Sequence, residues 1–220
     1  MQAVNIAIDG PAGAGKSTIA RMLAKKMNYL YVDTGAMYRA MALYFLRNHT
    51  DMENEDEVRK ACGQVDITLE DRDGELLVFL NGENVSSLIR TKEVSRMASV
   101  AAAKTPVRTK LVELQRKIAA GRNVVMDGRD IGTVVLPDAK VKIYLTASSQ
   151  VRAERRYREL KDPKPSLAEV KAEIEERDDR DMHRKNSPLR RADDAVLIDS
   201  SEMTPGEVAA QIAAIAYEAH

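Results

Sequence analysis

Gly10, Pro11, Ala12, Gly13, Ala14, Gly15, Lys16 and Ser17, followed by Thr18, match the pattern G-x-x-x-x-G-K-[ST] in full. Glycines at these positions let the backbone curl so that successive N–H groups face a triphosphate. A helix starting at the end of the run aims its positive N-terminus at the same place. Lys16 is suited to reach the β- and γ-phosphates, and the Ser17 hydroxyl to ligate Mg²⁺. An apolar strand pattern, Val4 to Ile8, precedes the loop and a helical one, Ser17 to Met27, follows it, which is the context the motif requires. This stretch is expected to hold a nucleoside triphosphate.

Other residues narrow the chemistry. The chain carries neither an N-K-x-D guanine reader nor an L-S-G-G-Q run, so it reads as neither a GTP-binding switch nor a transporter ATPase. Instead it places arginines after strands and along one late helix. Arg39 follows Asp33-Thr34-Gly-Ala-Met-Tyr38, and Arg129 lies within Asp127-Gly-Arg-Asp130. Arg152, Arg155, Arg156 and Arg158 stand beside a Pro-containing loop, and Arg177, Arg180 and Arg184 follow. A phosphoryl donor and an acceptor phosphate together bring about six negative charges, so a site holding both needs several fixed cations. Solvated helix faces with i,i+4 partners would use the same residues, and composition leaves both readings open. Val170, Ile174, Arg177, Asp181 and Arg184 share one helix face that begins apolar and ends ionic, as a helix entering a cleft would.

A phosphate acceptor, with a second pKa of about 6, is largely a dianion at neutral pH and needs no general base. The scarcity of histidine fits that chemistry. His49, His183 and His220 share no metal-ligand spacing with one another or with Cys62, the single cysteine, which reads as a small buried hydrophobe.

The elements that would position these groups alternate. Strand patterns occur at Val4 to Ile8, Leu30 to Val32, Asn123 to Met126, Val141 to Leu145 and Ala195 to Ile198. Helical patterns lie at 17–27, 36–47, 105–120, 149–160 and 166–185, and a last helix opens with the capping box Thr204-Pro-Gly-Glu207. Ser166-Leu-Ala-Glu169 is a second such box. Alternation predicts an α/β fold, a parallel sheet with helices on both faces. One segment breaks the pattern: alternating Val65, Ile67 and Leu69, a turn at Asp73-Gly74, a strand over Glu75 to Leu80, and the hairpin pair Asn81-Gly82 predict a three-stranded antiparallel insert over about 63–90.

Bulk properties set limits. Lys plus Arg and Asp plus Glu balance at 34 each and aromatics are 4%, which gives no support to nucleic acid or an anionic membrane as a partner. No apolar run approaches the ~18 residues of a membrane span, no signal-peptide pattern opens the chain, and a single cysteine excludes an internal disulfide. A cytoplasmic monomer is expected.

At Asp33-Thr-Gly-Ala-Met-Tyr-Arg39, Asp127-Gly-Arg-Asp-Ile-Gly-Thr133 and Glu176-Arg-Asp-Asp-Arg-Asp181, the sequence resembles the bacterial cytidylate kinases over essentially its whole length, insert included. The resemblance implies a P-loop nucleoside monophosphate kinase fold: a five-stranded parallel sheet with helices on both faces, a small antiparallel insert and a helical lid. The implied organisation is one kinase domain, 1–220, with a core at about 1–62, 91–150 and 186–220, the insert in the acceptor-binding region, and a lid at about 151–185. It further implies transfer of the γ-phosphoryl of ATP to CMP or dCMP. Residues 10–18 would hold ATP. Arg39, Arg129 and Arg184 would grip the acceptor phosphate with Arg177 nearby, Asp181 would bind the ribose hydroxyls, and Thr34 and Tyr38 would line the site. Thr34 stands where many relatives have serine, which keeps the hydroxyl. Ser99, Arg108 and Asp130 would read cytosine. Lys16, Arg129, Arg184 and, from the lid, Arg155 would act on the transferring phosphoryl.

The base assignment makes chemical sense. Cytosine presents an amine donor beside two acceptors, so a carboxylate at Asp130 accepts from the amine while Arg108 and Ser99 donate. Rival readings are a kinase for another small acceptor, such as UMP, AMP or shikimate, a nucleotide-binding module without catalysis, and a nucleic-acid-processing ATPase.

Overall fold

The computed structural model describes residues 3–72, 75–160 and 165–218. Five strands form a parallel sheet in the order β2-β6-β1-β7-β8: β1 is Asn5–Asp9, β2 Leu30–Asp33, β6 Val124–Gly128, β7 Val141–Thr146 and β8 Val196–Asp199. Strand β1 is central, pairing with β6 from Asn5↔Val124 to Asp9↔Gly128 and with β7 from Ile6↔Val141 to Asp9↔Tyr144. β6 is buried throughout because both its faces are covered, which is why these strands read as continuous apolar runs.

One face packs on α1 (Lys16–Met27) and α8 (Pro205–Glu218), where Ile19, Leu23, Val208 and Ile212 meet Ile8 and Ile143. The other packs on α2 (Thr34–Arg47), α3 (Glu55–Gly63), α4 (Lys92–Ala101) and α5 (Thr105–Ala119). Capping residues set where the helices begin. Asp33 accepts from Ala36 N at 2.7 Å, and Glu207 and Thr204 close the box expected at α8. Two further helices, α6 (Ser149–Glu159) and α7 (Leu167–His183), stand together around Ala153, Val170 and Ile174. The Ser166–Glu169 capping box opens α7.

The antiparallel insert comprises β3 (Ile67–Arg72), β4 (Glu75–Leu80) and β5 (Glu83–Asn84). Asn81 and Gly82 both have positive φ, 49° and 83°, as the two-residue hairpin turn needs. The Asp73-Gly74 turn lies outside the described residues. The insert shares the main core: Val65, Ile67, Val78, Leu80 and Val85 bury against Met37, Met41 and Phe45 of α2.

Three features differ from the sequence reading. Helix α3, capped by Asn54, carries only Val58, Ala61 and Cys62 as a buried face, too short a stripe to announce itself. α4, Lys92–Ala101 with Thr91 as its cap, lies outside the helical patterns named above. Residues Ile131–Val135 form one π-type turn after β6, a backbone shape without a periodic signature.

Gly10 ends β1 at φ 148°, and a Cβ there would lie 1.9 Å from the Leu145 carbonyl oxygen. At Gly82, φ is 83° but nothing lies within 4 Å of the same position. Gly82→Ala should therefore cost about 1–2 kcal/mol, the left-handed penalty alone, and Gly10→Ala distinctly more, because backbone must also move. Denaturant midpoints of the two variants check the order.

Candidate active site

The loop after β1 turns through Gly13 at φ 75° and Gly15 at φ 90°, left-handed conformations that glycine adopts without a steric penalty. α1 starts at Lys16, so its unpaired N–H groups point into the loop. Lys16 is buried, and its Nζ donates to the Pro11 carbonyl at 2.7 Å, which draws the ammonium inside the curl. Burial, and next the Arg129 charge, hold its pKa well below the usual lysine value; Asp127 and Asp9 oppose them.

Asp127, at the end of β6, faces this lysine from the neighbouring strand. It accepts from Ser17 Oγ at 2.8 Å and from Tyr31 Oη at 2.9 Å. Burial and the nearby Asp33 carboxylate push its pKa up to about 6, against Lys16 and the two hydroxyl bonds. Asp9, at the end of β1, accepts from Ile131 N and Gly132 N at 2.8 and 2.7 Å, tying the π-type turn to the base of the loop. Desolvation raises its pKa to about 6 as well.

Beyond Asp127 the charges alternate. Arg129 Nε donates to Asp181 Oδ2 at 2.9 Å, and Asp181 Oδ1 lies 3.6 Å from Arg184 Nη1. Arg184 Nη2 reaches Asp130 Oδ1 at 3.4 Å, and Asp130 Oδ2 binds Arg108 Nη2. The guanidinium of Arg108 stands 5.7 Å from the centroid of the Tyr38 ring. Burial raises the Asp181 pKa, but Arg129, Arg177 and Arg184 outweigh it and hold the carboxyl below its ordinary range. Arg177 is pushed down to about 10 by burial and then by the Arg129 charge. Among the described residues, the Tyr38 hydroxyl and the Nε atoms of Arg39, Arg108 and Arg177 are buried without a hydrogen-bond partner.

The structure thus brings Lys16, Ser17, Arg108, Arg129, Asp130, Arg177, Asp181, Arg184 and Tyr38 into one largely buried, charged cluster at the carboxyl ends of β1 and β6. Arg39 lies at its margin, 3.3 Å from Asp33. Thr34 is buried and donates to the Asp127 carbonyl at 2.7 Å, so its hydroxyl proton is already engaged. Ser99 is half-buried on α4. The shared face of α7 holds through Asp181, with Val170 and Ile174 buried; Arg184 has already left the helix as its C-terminal cap. Arg155 is not brought to the cluster. Its Nη1 and Nη2 bond the hydroxyl and carbonyl of Ser200, at 3.0 and 2.6 Å, beyond β8.

Asp127 was visible in its motif but had no assigned role. The available signal was an apolar strand, Val124 to Met126, ending on a carboxylate; only the β1–β6 register puts that carboxylate beside Ser17. The buried pair Arg152 and Asp178 gave no signal of its own among so many charged neighbours.

A family model described as Cytidylate kinase matches residues 6–218. The chain belongs to the cytidylate kinase family. It is 50% identical over 211 residues to a cytidylate kinase of Carboxydothermus hydrogenoformans, covering 95% of each chain. To that of Caldanaerobacter subterraneus subsp. tengcongensis it is 52% identical over 211 residues, covering 95% of this chain and 92% of the relative. Among solved structures, an uncharacterized protein from Eubacterium ventriosum aligns with a TM-score of 0.56 at 14% identity, over 98% of both chains. The shikimate kinase of Acinetobacter baumannii in complex with shikimate aligns at 0.50 and 14%, over 98% of this chain and 94% of that one. Likeness at this identity speaks to the fold alone.

Lys16→Met keeps the length of the side chain and removes its charge. The expected result is a loss of about 10²-fold or more in kcat with an unchanged circular dichroism spectrum. A kcat near that of the unaltered chain would remove Lys16 from the chemistry.

Proposed function

We propose that the chain transfers the γ-phosphoryl group of ATP to CMP or dCMP, giving ADP and CDP or dCDP, as its family membership implies, and that the charged cluster above performs the transfer. The observation that carries the site is the buried alternation of cation and carboxylate that begins at Lys16 and ends at Arg108. The phosphate loop, residues 10–18, takes the triphosphate. Arg129 and Arg184, with Arg39 and Arg177 nearby, take the acceptor phosphate, whose dianion attacks in line without a general base. Lys16 and these arginines neutralise charge on the transferring group, and their fixed positions spare reorganisation during the reaction. Asp181 is assigned to the ribose, with Thr34 and Tyr38 lining the pocket.

Asp130, Arg108 and Ser99 are assigned to the base. Asp130 accepts from the exocyclic amine of cytosine, and Arg108 and Ser99 donate to its ring acceptors. Uracil would set a carbonyl against the carboxylate. An unpaired buried polar group costs about 1–3 kcal/mol, which corresponds to roughly ten- to hundredfold discrimination.

Ser17 Oγ and the Asp127 carboxylate, 2.8 Å apart, offer the hard oxygen donors that Mg²⁺ prefers. Bound there, the ion would neutralise charge on the β- and γ-phosphates. The insert, about 63–90, is assigned to the acceptor side, and α6 and α7, within about 151–185, to a cover over ATP; the Pro-containing loop between them, Lys161 to Pro165, falls largely outside the described residues. Among the described residues no helix is long and apolar enough to cross a membrane, and we take the protein to act in the cytoplasm as a monomer. Arg155, bonded to Ser200 as it stands, would have to leave that partner to reach the transferring phosphoryl.

ADP release measured across CMP, dCMP, UMP, AMP and shikimate is the direct test. Turnover of CMP and dCMP well above the rest is expected, and a clear preference for any other acceptor would overturn the assignment. Asp130→Asn preserves the shape and presents an amide donor. The ratio of kcat/KM for CMP over UMP should fall by roughly tenfold or more; an unchanged ratio would take Asp130 out of the base site.

A further inference from the structure

Ala12, in the middle of the phosphate loop, is held by two charged side chains that the chemistry above does not use. Its N–H donates to Asp178 Oδ1 at 2.9 Å, and its carbonyl accepts from Arg152 Nη1 at 3.0 Å. The same Nη1 bonds Asp178 Oδ2, and Arg152 Nε donates to the Ala147 carbonyl at 2.9 Å. Arg152 and Asp178 are 8% and 5% exposed, so this node is buried. It joins four parts of the molecule: the phosphate loop, the end of β7, the first turn of α6 and the middle of α7. Next to it, a Cβ on Gly13 would lie 3.1 Å from both Cβ and the carbonyl oxygen of Arg152, so α6 already touches the loop.

A buried ion pair is a poor way to gain stability, because desolvating both charges offsets most of their attraction. An apolar pair would hold α6 on α7 as well. What it would not do is satisfy both backbone groups of Ala12, an N–H and a C=O in two successive buried peptide units, which need an acceptor and a donor respectively. Asp178 and Arg152 supply one each. The orientation of Ala12 constrains the N–H groups that follow it, and those are the ones that face the triphosphate. Asp178 also adjoins Arg177 on α7, so one turn of helix places a cation in the charged cluster and a clamp on the loop.

We propose that Arg152 and Asp178 are positioning residues for the phosphoryl donor: they fix the phosphate loop through Ala12 and couple it to the α6–α7 pair. The proposal rests on the kinase reading given above. Breaking the node should therefore impair the use of ATP and spare the binding of CMP.

The variants are Arg152→Met, Arg152→Lys, Asp178→Asn and the double variant Arg152→Met/Asp178→Asn, each measured for kcat, KM for ATP, equilibrium binding of ADP and of CMP, and thermal midpoint. Arg152→Met should lose about 10²-fold in kcat/KM for ATP, the scale of a misplaced reacting group, with weakened ADP binding and CMP binding within threefold of the unaltered chain. Arg152→Lys should recover part of that loss, and the double variant should be less impaired than the product of the single effects, as coupled residues are. A lowered melting temperature with unaltered kinetics in the folded protein, or equal losses toward ATP and CMP, would reduce the pair to a structural contact and overturn the proposal. If Arg152→Met does not fold, Arg152→Lys and Asp178→Asn carry the same comparison. The unaltered chain is assayed alongside; its failure to phosphorylate CMP would sink the kinase reading, whereas ADP binding by the variants reports on the node independently.

Discussion

Buried cations gathered in one cluster repel one another, and that repulsion is the constraint that the rest of this structure answers. The Arg129 charge lowers the pKa of both Lys16 and Arg177, and Arg177 lowers that of Lys16 in turn. Like charges persist in such a place only when opposite charge is built in among them. Asp127 and Asp9 sit beside Lys16, Asp181 lies between Arg129 and Arg184, and Asp130 lies between Arg184 and Arg108. Each of these cations therefore stands near a carboxylate.

The sheet makes that interleaving possible. Because β1 lies between β6 and β7, the loop after β1 and the motif after β6 open on the same edge, and Asp127 comes within 2.8 Å of Ser17. Asp9 then extends the arrangement sideways by holding the π-type turn that follows Asp130. The helices contribute the far wall: α5 brings Arg108, and α7 with its cap brings Arg177, Asp181 and Arg184. None of these distances follows from sequence separation; Arg184 and Asp130 meet across 54 positions.

The insert and the α6–α7 pair relate to the core in different ways. The insert has no separate interior, since Ile67, Val78 and Leu80 bury against α2, so its position is fixed by the same apolar contacts that hold the sheet. The α6–α7 pair has a small cluster of its own and meets the phosphate loop through the polar Arg152–Asp178 node. Apolar packing resists displacement in every direction, whereas a hydrogen-bonded node sets one geometry and concentrates the connection at one point.

Local chemistry was legible in the residues themselves. The phosphate loop is a run of nine consecutive positions whose glycines dictate the curl. The five strands, the capping boxes at Ser166 and Thr204, and the Asn81-Gly82 hairpin likewise depend on neighbours a few residues apart. Side-chain partnership is different, because it depends on which segments the fold places side by side. The sequence marked Arg155 and Arg152 alike as cations on one helix, yet one bonds Ser200 and the other is buried between Ala12 and Asp178. The partnership of Asp127 with Ser17 was hidden for the same reason: a carboxylate ending a strand meets that hydroxyl only when the neighbouring strand leads into the loop that carries it. The sequence by itself determined how the loop curls and which residue types surround it. Tertiary structure alone decided which charges meet, since Coulomb and hydrogen-bond energies depend on distances in space that residue order does not contain.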